Sequence, residues 1–185
     1  MNQIIRFAAI LAVAILVNAC ASKVTNLKKD SDIPLTEGQG YVLLGIETNR
    51  DLYQIILDGP SRIRLTSEDL AEGDNYILAE LKAGEYSIDK LYIDINRFYR
   101  FDDEDNFKFT VKPGRVSYVG HLETVTAGYW FPRTYLQLDN RSSQALVFMQ
   151  EEFPNILSKR KLYYGGPGED SFLAFEAAFG GESNE

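Results

Sequence analysis

Tyr76-Ile77-Leu78-Ala79-Glu80-Leu81-Lys82-Ala83-Gly84-Glu85-Tyr86-Ser87-Ile88-Asp89-Lys90-Leu91-Tyr92-Ile93-Asp94-Ile95 decides the fold. β-formers fill Tyr76 to Leu81, and beyond Gly84 apolar side chains recur at every second position. Two is the period of a strand with one face buried and one wet. Ala83-Gly84 interrupts the pattern where a chain reversal needs small residues, so the stretch predicts two strands joined as a hairpin. Tyr86 and Ile88 share one parity, whereas Leu91, Ile93 and Ile95 share the other. A single extra residue near Asp89-Lys90, a β-bulge, restores one buried face to the whole second strand.

The same grammar extends in both directions. Tyr41 to Thr48 is a run of β-formers broken by Asn49-Arg50-Asp51, and Leu52 to Leu57 is ended by the turn signal Asp58-Gly59-Pro60. Arg62–Leu65, Phe98–Phe101, Phe107–Val111, Arg115–Val125 and Tyr135–Leu138 follow. Seven or eight short strands separated by turns predict a mainly β chain, an antiparallel β-sandwich of prealbumin-like or Ig-like type. Helical spacing enters late, at Ala145, Leu146, Met149 and Phe153, behind Ser142 or Ser143 as a candidate N-cap. Pro154 then restarts or kinks the helix. This part reads as a short C-terminal helical appendage, closed by the apolar Phe172–Phe179.

Lys82-Ala83-Gly84-Glu85-Tyr86 is echoed thirty residues on by Lys112-Pro113-Gly114, with Tyr118 in the strand that it opens. Pro113 presets φ for the second residue of a type II turn, and Gly114 supplies the positive φ of the third. On these steps the region Gly40–Thr124 resembles a family of small, uncharacterised bacterial lipoproteins that carry a prealbumin-like or carboxypeptidase-regulatory-like sandwich. The resemblance implies architecture and carries no activity with it.

The N-terminus is of a different kind. Arg6 precedes an apolar run from Phe7 to Val17, too short for the roughly 20 residues of a membrane span and suited to an export signal. Val17-Asn18-Ala19-Cys20 resembles the lipobox of bacterial lipoproteins, which implies a signal peptide over 1–19 and a diacylglyceryl group on Cys20. Cys20 is the sole cysteine, so an intramolecular disulfide is excluded and a free thiol is the alternative. Ala21 and Ser22 follow it instead of an aspartate, and by resemblance the destination is the periplasmic face of the outer membrane. Residues 20–37 are polar and without periodicity and read as a lipidated N-terminus and flexible tether. The domain is expected over 38–179 and a disordered tail over 180–185.

The 185-residue chain carries a net charge of −8. An acidic surface does not displace counterions from phosphates, which excludes nucleic acid as the natural partner. His121 is the single histidine. No G-x-S-x-G accompanies it, the one cysteine is assigned to the anchor, and H-E-x-x-H is missing, so it reads as a satisfied or solvated strand residue and no cofactor is called for. Asp102-Asp103-Glu104-Asp105 reads as a solvated tip, with calcium as the alternative. Gly165-Gly166-Pro167-Gly168 lacks the Lys-Ser/Thr of a phosphate loop and is a plain loop. Lys159-Arg160-Lys161 reads as a solvated helix end, with lipid or lipopolysaccharide phosphates as the alternative.

Tyr129-Trp130-Phe131 cannot all face one core if extended. Together with Tyr163 and Tyr164 they are the candidate partner-binding residues, with core packing as the alternative. The functional expectation is a non-catalytic binding or scaffolding module. It is held to the membrane through Cys20 and directed at an envelope protein or polymer. A lipid or lipopolysaccharide carrier and an envelope hydrolase are the alternatives. Cys20→Ser is predicted to abolish incorporation of labelled fatty acid, and full incorporation by the variant would refute the anchor.

Overall fold

The computed structural model describes residues 21–101, 105–128 and 133–179. The signal-like segment with Cys20, the tip residues Asp102-Asp103-Glu104, the candidates Tyr129, Trp130 and Phe131, and the 180–185 tail lie outside the described residues. The strands are β1 (Ser22–Lys23), β2 (Gln39–Thr48), β3 (Gln54–Asp58), β4 (Ile63–Thr66), β5 (Gly73–Lys82), β6 (Gly84–Tyr92), β7 (Phe98–Arg100), β8 (Lys108–Val111), β9 (Val116–Ala127), β10 (Arg133–Asp139) and β11 (Leu162–Tyr164). The helices are α1 (Ser142–Glu152), α2 (Pro154–Lys159) and α3 (Ser171–Phe179). One sheet has the order β1-β4-β3-β6-β7, with β8 also on β6, and the other β10-β9-β2-β5, with β11 also on β9.

The chain is mainly β, as the alternation requires, but the sheets are not purely antiparallel. β1 lies parallel to β4, β2 parallel to β9, and β11 parallel to β9. A parallel pair needs partners far apart in sequence, so strand patterning alone does not reveal it. The predicted bulge is present: Ile56 pairs with Lys90 and Leu57 with Ile88, leaving Asp89 as the extra residue.

The predicted hairpin at Ala83-Gly84 is corrected. β5 pairs with β2 in the second sheet, whereas β6 pairs with β3 in the first. The chain therefore crosses from one sheet to the other. Gly84, at φ 142°, makes the step, and the Ala83 amide donates to the Gly38 carbonyl. Lys112-Pro113-Gly114 hands β8 of the first sheet to β9 of the second in the same manner, with Gly114 at φ 70°. The two echoing motifs are thus two inter-sheet crossings. A crossing and a hairpin use the same turn residues, and only the pairing partners distinguish them.

Two apolar cores follow. Between the sheets, Val42, Leu44, Ile46, Ile77 and Leu122 meet Ile55, Leu57, Leu65, Ile88 and Leu91, all buried. The opposite face of the second sheet presents Tyr41, Leu43, Leu78, Val116 and Tyr118 to Ala145, Met149, Phe153 and Ile156 of the helices and their junction. The helices therefore form a covering layer with its own core, where the sequence suggested an appendage. Arg141 is the N-cap of α1 and Ser142 its first helical residue, a correction to the serine cap expected there; the Asn140 side chain accepts the Ser142 amide. Pro154 opens α2, where its missing N–H has no partner to lose.

The segment after position 20 is packed along the domain, a correction to the tether expected there. The Ser22 amide donates to the Arg62 carbonyl. Asn26 pairs with both the carbonyl of Tyr76 and the amide of Leu78, and the Leu27 amide donates to the Leu78 carbonyl, closing the free edge of β5. The Asp30 carboxylate accepts the Asn155 and Ile156 amides at 2.7 and 3.0 Å, capping α2. Asp32 holds Arg160 at 2.5 Å. Each partner lies far away in sequence, so local composition cannot signal the docking. Among the described residues, no helix is long and apolar enough to cross a membrane. Asp30→Ala removes a charged cap and is predicted to lower unfolding stability by about 1–2 kcal/mol in urea titration. A free tether would give no change.

Candidate functional site

The ionisable groups concentrate on the helix-facing side of the second sheet, beyond the part that α1 covers. β9 carries a bulge there: Leu43 pairs with Tyr118 and Gly45 with His121, so three steps on β9 match two on β2. Gly120, at φ 118°, makes the bulge possible. It turns His121 to the same side as Tyr118, which a plain alternation would forbid.

His121 lies flat over Gly45. A Cβ at position 45 would stand 2.2 Å from the imidazole Nδ1, so only glycine leaves room for the ring. Tyr76 packs edge-on against it at 5.5 Å, and the side chain has no solvent exposure. Its Nε2 lies 3.1 Å from the Asp74 carboxylate, without hydrogen-bond alignment. Burial pushes the imidazole below its ordinary range, Asp74 opposes this, and Arg141 adds to it, so the ring is neutral. The Tyr76 hydroxyl and the Thr124 hydroxyl are also buried without a partner among the described residues. Burial and Asp74 push Tyr76 up to about 12.

One register step further, Asp74, Glu47 and Glu123 stand side by side on β5, β2 and β9. Like charges in register repel. Arg141, at the head of α1, answers two of them, reaching Glu47 at 2.6 Å and Glu123 at 3.1 Å. The hydrogen bond from Arg141 holds the Glu47 carboxyl below its ordinary range. The Arg141 amide also donates to the Tyr118 hydroxyl, tying the cation to the sheet. A concavity of about 520 Å³ lies beside this row, lined by Asp74, Tyr76, Ser143, Gln144, Val147 and Phe148 among others. Tyr76 and Phe148 stack at 4.3 Å to form its floor.

The groups here are engaged with one another. The histidine is sealed, two of the carboxylates are held by one guanidinium, and the Ser142 hydroxyl lies within hydrogen-bond reach of both Asn140 and Asp170. Among the described residues, no group of three or more His, Cys, Asp or Glu side chains could hold a metal ion. Asp105, the described member of the acidic tip, pairs with Lys108 at 2.9 Å.

Of the candidate partner residues, Tyr163 and Tyr164 are among the described residues. Tyr164 is 7% exposed and its hydroxyl donates to the Pro167 carbonyl, so it belongs to the second core. Tyr163 is half-buried, with the Lys112 ammonium 3.4 Å above its ring. Both pair with the start of β9, at Ser117 and Tyr118, and Ala127 marks its far end.

That far end holds an aromatic surface the sequence reading missed. Tyr53 and Tyr92 meet at 6.5 Å, and Tyr92 and Phe98 at 5.1 Å. Ile95, in the loop between β6 and β7, is 71% exposed, and Phe98 is 50% exposed. A shallow concavity of about 300 Å³ joins this loop to Thr126 and Thr134 of the β9–β10 pair. The signal was Ile95-Asn96-Arg97-Phe98, an apolar pair around a turn, assigned to strand interiors by periodicity.

Compared with known proteins, the chain matches no family model, no curated protein and no solved structure.

Buried neutral His121 sets a pH dependence. Its folded-state pKa lies below the unfolded one, so below about pH 6.5 the unfolded chain takes up a proton that the folded chain refuses. Stability must fall as pH drops below about 6.5, by up to about 1.4 kcal/mol per pH unit, until the folded-state pKa is passed. Urea midpoints at pH 7.5 and 5.5 are predicted to diverge for the wild type and to converge for His121→Phe.

Proposed function

We propose that the chain is a lipid-anchored periplasmic protein of the outer membrane that acts as a non-catalytic binding or scaffolding module. The domain would be a prealbumin-like or Ig-like sandwich of the lipoprotein type that its turns resemble. The observation that carries the reading is the row of exposed Tyr53 and Phe98 on either side of half-buried Tyr92, with exposed Ile95 nearby. A contiguous apolar patch on a folded domain marks a contact surface, and aromatic anchors dominate the energetics of such contacts. Residues 128–132 connect the adjoining ends of β9 and β10, which brings Tyr129, Trp130 and Phe131 into the same proposal.

Two observations weigh against the alternatives. The space between the sheets is filled by buried Leu, Ile, Val and aromatic side chains, which favours a scaffold over a carrier of acyl chains. His121 has no solvent exposure and sits over Gly45, which speaks against its service as a general base. The partner is an envelope protein or polymer.

Pull-down from crosslinked envelopes tests the surface. Truncating an anchor in a well-formed interface costs about 2 kcal/mol, roughly thirtyfold in affinity. Ile95→Ser/Phe98→Ser and Trp130→Ala are each predicted to lose the recovered partner while melting within a few degrees of wild type. Unchanged recovery by stable variants would overturn the assignment. A large fall in the melting temperature of Trp130→Ala would make Trp130 a core residue.

A further inference from the structure

The end of the domain opposite the aromatic row gathers cations. Gln39 pairs with Lys82 across β2 and β5, the Gly114 amide donates to the Gln39 carbonyl, and the Tyr41 amide donates to the Arg115 carbonyl. The turns Lys82–Gly84 and Lys112–Arg115 therefore lie side by side at the start of β2. The Val116 amide donates to the Lys161 carbonyl, and Arg115 and Lys161 line one concavity of about 660 Å³ with Tyr163. Lys82, Arg115 and Lys161 are exposed, and among the described residues none of them has an ion-pair partner. Glu37, Glu85 and Glu169 are exposed acids of this end, whereas Asp32 is neutralised by Arg160 and Asp58 is paired with Arg62 at 3.6 Å, which leaves three carboxylates against Lys82, Lys112, Arg115 and Lys161. The excess is positive in a chain whose total is −8. The carboxylate row Asp74, Glu47 and Glu123 lies at the other end of the same strands.

The N-terminal segment enters at this cationic end. The Ser22 amide bonds the Arg62 carbonyl, and β1 runs parallel to β4, away from the Gly59–Arg62 turn. That turn touches the crossings: a Cβ on Gly84 would stand 2.5 Å from Pro60. Position 20 is two residues upstream of Ser22, a reach of at most about 7 Å. An acyl chain on Cys20 would leave no slack between bilayer and domain.

We propose that this end is the face laid against the membrane, with Lys82, Lys112, Arg115 and Lys161 meeting the anionic headgroups of the bilayer that holds Cys20. The proposal rests on the lipid-anchor reading given above. Its physical content is a charge dipole along the strands. Each cation close to an anionic surface raises association roughly fivefold, within about one Debye length. The carboxylate row at the far end is repelled, and the aromatic row is turned outward, away from the lipid.

The test uses the full chain, processed and acylated, reconstituted in vesicles of phosphatidylcholine with or without phosphatidylglycerol. Nitroxides are placed by Glu37→Cys at the cationic end and by Ile95→Cys at the aromatic end. Their accessibility to membrane-confined and water-confined relaxers is read by electron paramagnetic resonance. The position-37 label is expected to reach the headgroups on phosphatidylglycerol vesicles and to withdraw on phosphatidylcholine alone or in high salt. The position-95 label is expected to stay in water throughout. Lys82→Gln/Arg115→Gln/Lys161→Gln, melting as wild type, is expected to lose the lipid dependence. A position-37 label remote from both vesicles, a position-95 label nearer the lipid, or a triple variant that behaves as wild type overturns the orientation. Mass measurement of the acyl group separates the two claims. An acylated chain with a remote position-37 label refutes this face alone, and an unacylated chain refutes the anchor and the face together.

Discussion

Strand β2 is buried on both faces, and the rest of the domain is arranged to keep it so. Val42, Leu44 and Ile46 point between the sheets, while Tyr41 and Leu43 point to the other side. A strand buried on two faces needs two covering layers, since either face left open would expose large apolar side chains to water. The first sheet supplies one layer and the helices supply the other. The helical region is therefore as necessary to the domain as the strands. Its connection is also covalently late, so the chain returns β11 beside β9 to bring α3 into place.

The elements legible in the sequence were those specified by short-range physics. Alternation located the strands, the parity change at Ile88 and Leu91 located the bulge, and Pro113-Gly114 located a turn of positive φ. What escaped was set by partners distant along the chain. Ala83-Gly84 reads equally as a hairpin or a crossing, and the Gly38 carbonyl that decides between them lies forty-five residues upstream of Ala83. Asn26, Asp30 and Asp32 read as linker residues because nothing near them needs their side chains. The parallel register of β2 on β9 has no local signature at all.

The functional residues divide along the same line. That His121 is the single histidine was visible from composition. That it is sealed over Gly45 depends on the Gly120 bulge and on a strand seventy-six residues away. The row Asp74, Glu47 and Glu123 is invisible in sequence, because only sheet register makes neighbours of them. Arg141 makes the row tolerable. It belongs to a loop just ahead of α1, which couples the placement of that helix to the charge balance of the sheet beneath it.

The docking of Asp30 onto α2 has a consequence for how the domain is made. The contacting residues are separated by 125 positions, and the Asp32–Arg160 pair by 128. Contacts of such long range carry a large loop-closure cost and form late, which gives the domain a high contact order and slow folding. Chain connectivity imposes the order of events: Asp30 has nothing to cap until Asn155 has been synthesised. Throughout that interval Asp30 and Asp32 lack the partners that hold them in the folded domain, and the segment is open to proteolysis. Closure of the domain later withdraws the same stretch, so resistance of the N-terminal segment to cleavage reports completion of the fold.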